Sequence, residues 1–231
     1  MMEIIEAIRA RRSIRSFKPA PVPREILEEL LETCLWAPSS SNKQTYEFAI
    51  LGGKVLEELN NKVIEKIKAE WDATTLTYKN VNCDIPYPEL FEPYARRAIE
   101  IRNRIDRHQF PPGTPGLEEK RRHYLLFGGR SYDAPNVIII YIDRSLCPRA
   151  IMDIGIMSQT IALAALAYGL GTCLQTMPLN WPEIVREHLG LPETKLLALA
   201  IAIGYPDIEA PVNNFERTRD PINVFTHWYG I

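Results

Sequence analysis

The segment RARRSIRSF crowds Arg9, Arg11, Arg12 and Arg15 around Ser13. Guanidinium groups offer planar, paired donors that match phosphate oxygens, and a serine hydroxyl adds another, so this spacing can hold an anion. It equally suits a solvated basic helix end set against the helix dipole. A second basic pair, Arg217 and Arg219, stands near the other end of the chain, and its alternate spacing puts both side chains on one face of an extended segment. Taken alone, that pair also reads as surface charge. SSSNKQ, from Ser39 to Gln44, carries donors and acceptors able to grip a heteroaromatic ring, or is an ordinary polar loop. Neither Ser39 nor Ser40 lies in a GxSxG context, which argues against a hydrolytic nucleophile. His108, His123, His188 and His227 are dispersed, with no triad or metal signature. Gly52-Gly53 and Gly169/Gly171 lack the GxGxxG spacing of a dinucleotide fingerprint.

These groups sit in a chain of 231 residues, long enough for one substantial apolar core. With 46% apolar and 24% charged residues, the composition is that of a globular protein. The formal net charge of -2 gives no reason to expect nucleic acid or an anionic membrane as partner, so any bound anion must meet a local basic cluster. Cys34, Cys83, Cys147 and Cys173 show no CxxC and no metal-ligand spacing; they read as reduced thiols of a cytoplasmic protein, with no metal expected. The start, MMEIIEAIRARRS, carries Glu3 and Glu6 and does not read as a secretory signal. The run Leu196 to Ile203 is far short of a bilayer span, so no membrane association is expected.

Periodicity gives the elements that must position the site. Met1, Ile4, Ile5 and Ile8 fall at helical spacing, and Pro19, Pro21 and Pro23 then force an extended connection. A second helix begins near Pro23, buries Ile26, Leu27, Leu30, Leu31 and Cys34, and stops at Ala37-Pro38. A strand around Phe48 to Leu51 precedes an amphipathic helix from Lys54 to Ile67. From Trp71 to Gly129 aromatics, charges and prolines mix, with a break at FPPGTPG (Phe110 to Gly116) and a helical piece from Pro93 to Asp106. Surface helices and an inserted lid both fit, and the length of the stretch favours the lid. The expected organisation is one domain over residues 1–231 with a variable, lid-like insertion at about 54–129. NVIIIYI, from Asn136 to Ile142, and Leu196 to Ile203 are interior strands. Ala150 to Leu170 is a helix apolar almost all round, which must be buried in the core, in a subunit interface, or in both. Asn180 as N-cap, Pro182 in the first turn and Glu183 as the partner of a capping box open a further helix, ended by Gly190. Helices separated by a few interior strands indicate an α+β fold.

Taken in order, RRSIRSF at Arg11 to Phe17, APSSSNKQ at Ala37 to Gln44, DIGIMSQTIALAALAYGLGT at Asp153 to Thr172 and IGYPD at Ile203 to Asp207 resemble the nitroreductase family of flavoproteins. The likeness covers both ends of the chain and leaves Gly53 to Gly129 unmatched. It implies a nitroreductase-like fold, a central, mostly antiparallel β-sheet flanked by helices in an intertwined homodimer, with FMN held at the subunit interface. Carried over by position, Arg11, Arg12, Ser13 and Arg15 correspond to residues that hold the FMN phosphate, ribityl chain and pyrimidine edge. Arg219, with Arg217 beside it, corresponds to the C-terminal basic group that joins the phosphate. Pro38, Ser39, Ser40 and Asn42 correspond to the partner subunit's contribution. Leu174, Gln175, Thr176 and Met177 match the segment passing the isoalloxazine ring, where a backbone N–H near Thr176 or Met177 would approach flavin N5 and serve catalysis. The implied activity is ping-pong hydride transfer from NAD(P)H through FMN N5 to a small nitroaromatic or quinone-like acceptor. Pro178 to Asn180 also resembles the flavin-dependent reductive dehalogenase branch, which places a hydroxyl-bearing residue beside N5. This chain has Met177 there, which favours hydride chemistry, although neighbouring Thr176 could partly substitute. Another specialised branch and a non-catalytic flavin store or sensor are the remaining alternatives. Trp71, Tyr78, Tyr87, Phe91 and Tyr94 are candidates either to stack on the acceptor or to pack within the lid.

Overall fold

NVIIIYID is apolar without alternation because helices cover both of its faces. In the computed structural model, which describes residues 3–75, 77–79, 81–110 and 116–230, this strand is interior to a four-stranded antiparallel sheet. Numbered in chain order, β1 (Tyr46–Gly52), β4 (Asn136–Asp143), β5 (Gly171–Gln175) and β6 (Lys195–Gly204) lie side by side as β1-β4-β6-β5. A separate hairpin pairs β2 (Trp71–Asp72) with β3 (Thr77–Tyr78). Along β4, Ile138, Ile140 and Ile142 point to one face, and Val137 and Ile139 to the other. A bulge between Ile140 and Tyr141 resets the pairing with β6, so Leu196 and Ala198 share a face with Ile201 and Ile203 despite their odd separation.

On the first face, α2 (Arg24–Cys34) contributes Leu27, Leu30 and Cys34, and α6 (Ala150–Ala167) contributes Ile154, Met157, Ile161 and Ala165. On the second, α3 (Gly53–Ala69) buries Leu56, Leu59, Val63 and Ile67 beside Val185 of α7 (Pro182–Leu189) and Leu125 of α5 (Leu117–Gly129). The result is a sheet between two helical layers, an α+β architecture. The first part of the 54–129 stretch, α3, is thus built into the core, whereas α4 (Tyr94–Gln109) buries only Ile105. Among the described residues, α6 is the one helix long and apolar enough to cross a bilayer by length and composition. Much of that apolar surface lies on the sheet, but Met152 and Ile156 on its outer side stay exposed in the single chain.

One local expectation is corrected. Trp181, not Asn180, occupies the N-cap position of α7, and no side-chain cap bond forms there. Asn180 is fully buried, and its side chain accepts a hydrogen bond from Tyr87. Periodicity also missed β5, five residues entered through a glycine, and α5, which lies in the mixed stretch. Of FPPGTPG, residues 111–115 lie outside the described residues, as do Met1 and the side chain of Tyr78.

Candidate functional site

The first helix, α1 (Ile4–Ala10), ends where Arg11 turns extended, and the chain then runs beside β5. Ser13 bridges Thr172 in parallel fashion, and the Ile14 N–H donates to the Thr172 carbonyl at 2.9 Å. Gly171 allows this approach: a Cβ there would stand 2.6 Å from Ile14 Cγ1. Buried Asn213 ties the segment to the C-terminal tail. Its Oδ1 accepts the Arg15 N–H at 2.7 Å, and its Nδ2 donates to the carbonyls of Ser16 and Asp207, each at 2.8 Å. Arg12 Nη1 donates to the Asn213 carbonyl at 3.1 Å, and Arg217 Nη2 donates to the Ser13 carbonyl at 3.4 Å. Arg219, more exposed, donates to its neighbour's carbonyl, Thr218 O, at 2.7 Å.

The two basic segments therefore meet. Burial, and then the fields of Arg12, Arg15, Arg11 and Arg219, push the Arg217 pKa down to about 10. Burial and the Arg219 charge lower that of Arg11 in the same way. Both groups stay cationic at neutral pH, so these shifts register like-charge crowding. Among the described residues, no carboxylate forms an ion pair with Arg11, Arg12, Arg15, Arg217 or Arg219. Such a cluster is the complement of a multiply charged anion.

Deeper in the same site, Arg15 Nε and both amide atoms of Gln175 are buried without a hydrogen-bond partner. A buried polar atom left unsatisfied costs about 1–3 kcal/mol, so these three mark where a ligand's donors and acceptors fit. The edge of a heteroaromatic imide suits an arginine donor beside a carboxamide, and the residues present therefore fit a flavin pyrimidine. Behind Arg15, Tyr132 presents its ring 5.9 Å from the guanidinium carbon. Tyr132 sits in a left-handed turn, with φ of 54°, 58° and 53° at Ser131, Tyr132 and Asp133, a strained geometry of the kind concentrated at ligand sites. Burial drives its phenol pKa well up, keeping the hydroxyl neutral.

β5 then delivers Leu174, Gln175, Thr176 and Met177 along one edge. Tyr87 donates to Asn180 Oδ1 at 3.0 Å, which leaves the Thr176 hydroxyl as donor to Tyr87 at 2.6 Å. The Met177 side chain lies against Gly128 of α5, where a Cβ would stand 2.5 Å from its sulfur. Of the other aromatic candidates, Trp71 packs into the cluster that holds Met177, and Phe91 and Tyr94 meet each other edge-on at 5.3 Å.

Pro38, Ser39, Ser40 and Asn42 lie elsewhere. The Ser40 N–H donates to Asp153 Oδ1 at 3.0 Å, Thr45 Oγ1 donates to Asp153 Oδ2 at 3.3 Å, and Ser41, Asn42 and Gln44 all have positive φ. Asp153 is in the first turn of α6, while Leu166 at the opposite end lines the cavity beside Arg11 and Arg12. The thirteen steps from Asp153 to Leu166 rise about 20 Å along the helix, so within one chain this loop stays apart from Arg11 and Arg12. Sequence reasoning missed Asn213, Tyr132 and Asp153. Only Asp153 carried a signal, as a lone acid in an apolar helix.

A family model described as the Nitroreductase family matches residues 8–205. The nitrobenzene nitroreductase of Ectopseudomonas oleovorans is 30% identical over 224 residues, covering 96% of this chain and 95% of that protein. The 4-nitrobenzoate reductase of a Nocardioides strain is 29% identical over 228 residues, covering 96% and 88%. The crystal structure of the FMN-dependent nitroreductase NfnB from Mycobacterium smegmatis, in complex with NADPH, is similar with a TM-score of 0.85 at 27% identity, covering 96% of each chain. With the match running from α1 to the end of β6 and taking in the whole sheet, the chain belongs to the nitroreductase family.

Proposed function

We propose that this protein is an FMN-dependent oxidoreductase that takes electrons from NAD(P)H and delivers them to a nitroaromatic or quinone-like acceptor, in ping-pong order, as a homodimer. The observation that carries the reading is the convergence of five guanidinium groups from the two ends of the chain, none of them in an ion pair with a carboxylate among the described residues. When bound, FMN supplies two-electron exchange between nicotinamide and acceptor. Arg11, Arg12, Ser13, Arg217 and Arg219 are the residues to hold its phosphate and ribityl chain; Arg15 and Gln175 satisfy its pyrimidine edge. Arg15 also fixes a positive charge in a buried setting, where it acts on developing negative charge more strongly than in water. Leu174, Thr176 and Met177 form the edge facing the reacting side. The Thr176 hydroxyl is already committed to Tyr87, which weighs against the dehalogenase reading that would use it as a free donor.

The homodimer reading rests on two further observations. Pro38, Ser39, Ser40 and Asn42 stand about 20 Å along α6 from the cavity beside Arg11 and Arg12 of their own chain, so a second copy is what brings such a loop to the site. In addition, Ile4, Ile5 and Ile8 of α1, Met152 and Ile156 of α6, and Phe225 and Trp228 of the tail are exposed in the single chain, apolar surface that an interface between copies would cover.

The test is direct. Purified protein incubated with FMN and desalted should be yellow and run as a dimer in light scattering. Anaerobic NADPH or NADH should bleach it, and nitrobenzene or a quinone should restore the colour. A colourless protein refutes the flavin assignment, failure to bleach supports a store or sensor instead, and bleaching without reoxidation refutes the acceptor class.

A further inference from the structure

Beyond the flavin cleft, Tyr124 of α5 joins two environments. Its phenol helps raise the pKa of Tyr132, the ring behind Arg15, and its side chain packs with both the Met177 cluster and the Ile105–Phe215 cluster. On the outer side of that ring, the Arg102 guanidinium of α4 lies 3.9 Å from the centroid. Arg121 is one turn before Tyr124 on the same face of α5, and its pKa is lowered by burial and then by the Arg102 charge. The two cations are half-buried and both neighbour Tyr124, Arg102 on its ring and Arg121 one turn before it, and among the described residues neither forms an ion pair. Asp106 is the carboxylate whose field reaches Arg121, and it offsets only one of the two charges. Holding two partly desolvated guanidinium groups together is unfavourable unless an anion joins them.

Spacing indicates what kind of anion. Arg121, Tyr124 and Gly128 follow one another along a single face of α5, and Gly128 abuts Met177. Seven helical residues put Arg121 about 10 Å from that contact. This is the scale of one substituted benzene ring and falls well short of the reach from a nicotinamide to the phosphates of its dinucleotide. We propose that Arg102 and Arg121 form a carboxylate subsite on the Tyr124 side of Met177, selecting aromatic acids as acceptors, with Tyr124 as the adjoining wall. The inference rests on the flavin reading above and specifies the acceptor that site receives.

The experiment uses the FMN-loaded protein and two unreactive probes of like shape, benzoate and benzamide, titrated by calorimetry into wild type, Arg102→Gln, Arg121→Gln and Arg121→Lys. Benzoate should bind wild type more tightly than benzamide, and added salt should weaken benzoate selectively. Each Gln variant should lose about tenfold or more of that preference, as expected for a charge-assisted contact, while Arg121→Lys retains it. Flavin absorbance serves as the folding control, and unchanged flavin content is expected in all variants. Equal affinity for the two probes in yellow wild type overturns the subsite and leaves the flavin reading standing; a colourless wild type overturns the flavin reading itself. Gln variants that keep the benzoate preference but lose NADPH affinity relative to NADH also overturn the proposal, because they assign the pair to a nucleotide phosphate.

Discussion

Asp84 anchors the segment that carries Tyr87 to Thr176 and Asn180, and its removal should be among the most damaging single changes in the chain. Its carboxylate accepts from Arg186 Nη1 at 3.2 Å and Nη2 at 2.9 Å, from Arg144 Nη2 at 2.7 Å and from the Leu197 N–H at 2.8 Å. The Asp84 and Arg186 side chains are only 5% and 6% exposed, whereas that of Arg144 is 43% exposed. Asp84→Ala therefore strands a buried guanidinium and a β6 amide. Breaking a buried ion pair from one side costs about 3–5 kcal/mol. Arg186 retains Glu193 at 3.5 Å, but that carboxylate is 84% exposed and compensates weakly. Arg144→Ala, which removes the solvated member, should cost under about 1 kcal/mol. Urea unfolding at fixed protein concentration measures both, and the slope must match wild type for the midpoints to be compared. Because Tyr87 is three residues beyond the clamp, Asp84→Ala should also weaken acceptor turnover more than flavin binding. A loss below about 1 kcal/mol in Asp84→Ala would show that the clamp does not hold the segment, and the reasoning would fail.

Arg219→Ala should lower FMN affinity by about tenfold while leaving riboflavin affinity nearly unchanged, since one charge-assisted phosphate contact is lost; equal losses for both flavins in fluorescence titrations would remove Arg219 from the phosphate seat. Gly171→Val should destabilise the fold by about 1–3 kcal/mol and weaken flavin retention, because its side chain must enter the space of Ile14; normal retention with an unshifted unfolding midpoint would contradict the close-approach account. Burial raises the Cys34 thiol to about 11, so at pH 8 it is protonated and shielded in the native protein. Alkylation followed by peptide mass mapping should find Cys83 and Cys147, both half-buried, modified well before Cys34; comparable labelling of Cys34 would refute its placement.

What the sequence reveals depends on whether the determining physics is local. The runs NVIIIYI and LLALAIAI announce interior strands by composition, and the stripe from Leu27 to Cys34 announces α2 by spacing; both patterns follow from burying the same faces the structure buries. The start of α7 was misread because an Asn before a proline fits a cap statistically, while a tertiary hydrogen bond from Tyr87 draws that carboxamide inward. α5 was unreadable for a related reason. Several of its apolar residues, Leu125 among them, serve contacts with α3 and Met177, while Tyr124 also packs against Ile105 of α4, so no single stripe appears.

The site itself shows the limit more clearly. Arg12 stands in a segment that reads equally as an anion site or a solvated helix end, Arg217 in one that reads as surface charge, and no local rule links them. Their meeting depends on Asn213, whose buried carboxamide satisfies the Arg15 amide and two carbonyls at once, and on Gly171, which lets Ile14 come against β5. Neither residue has chemistry of its own to advertise. The same holds at the other end of α6, where Asp153 fixes the strained turn of Ser41 and Asn42 at a distance from every arginine of the cluster. α6 thus places Leu166 beside the cavity of Arg11 and Arg12 near its C-terminus and holds a polar loop at its N-terminus. Under the homodimer proposal, a second copy bridges that separation and covers Met152 and Ile156 on the outer side of the helix.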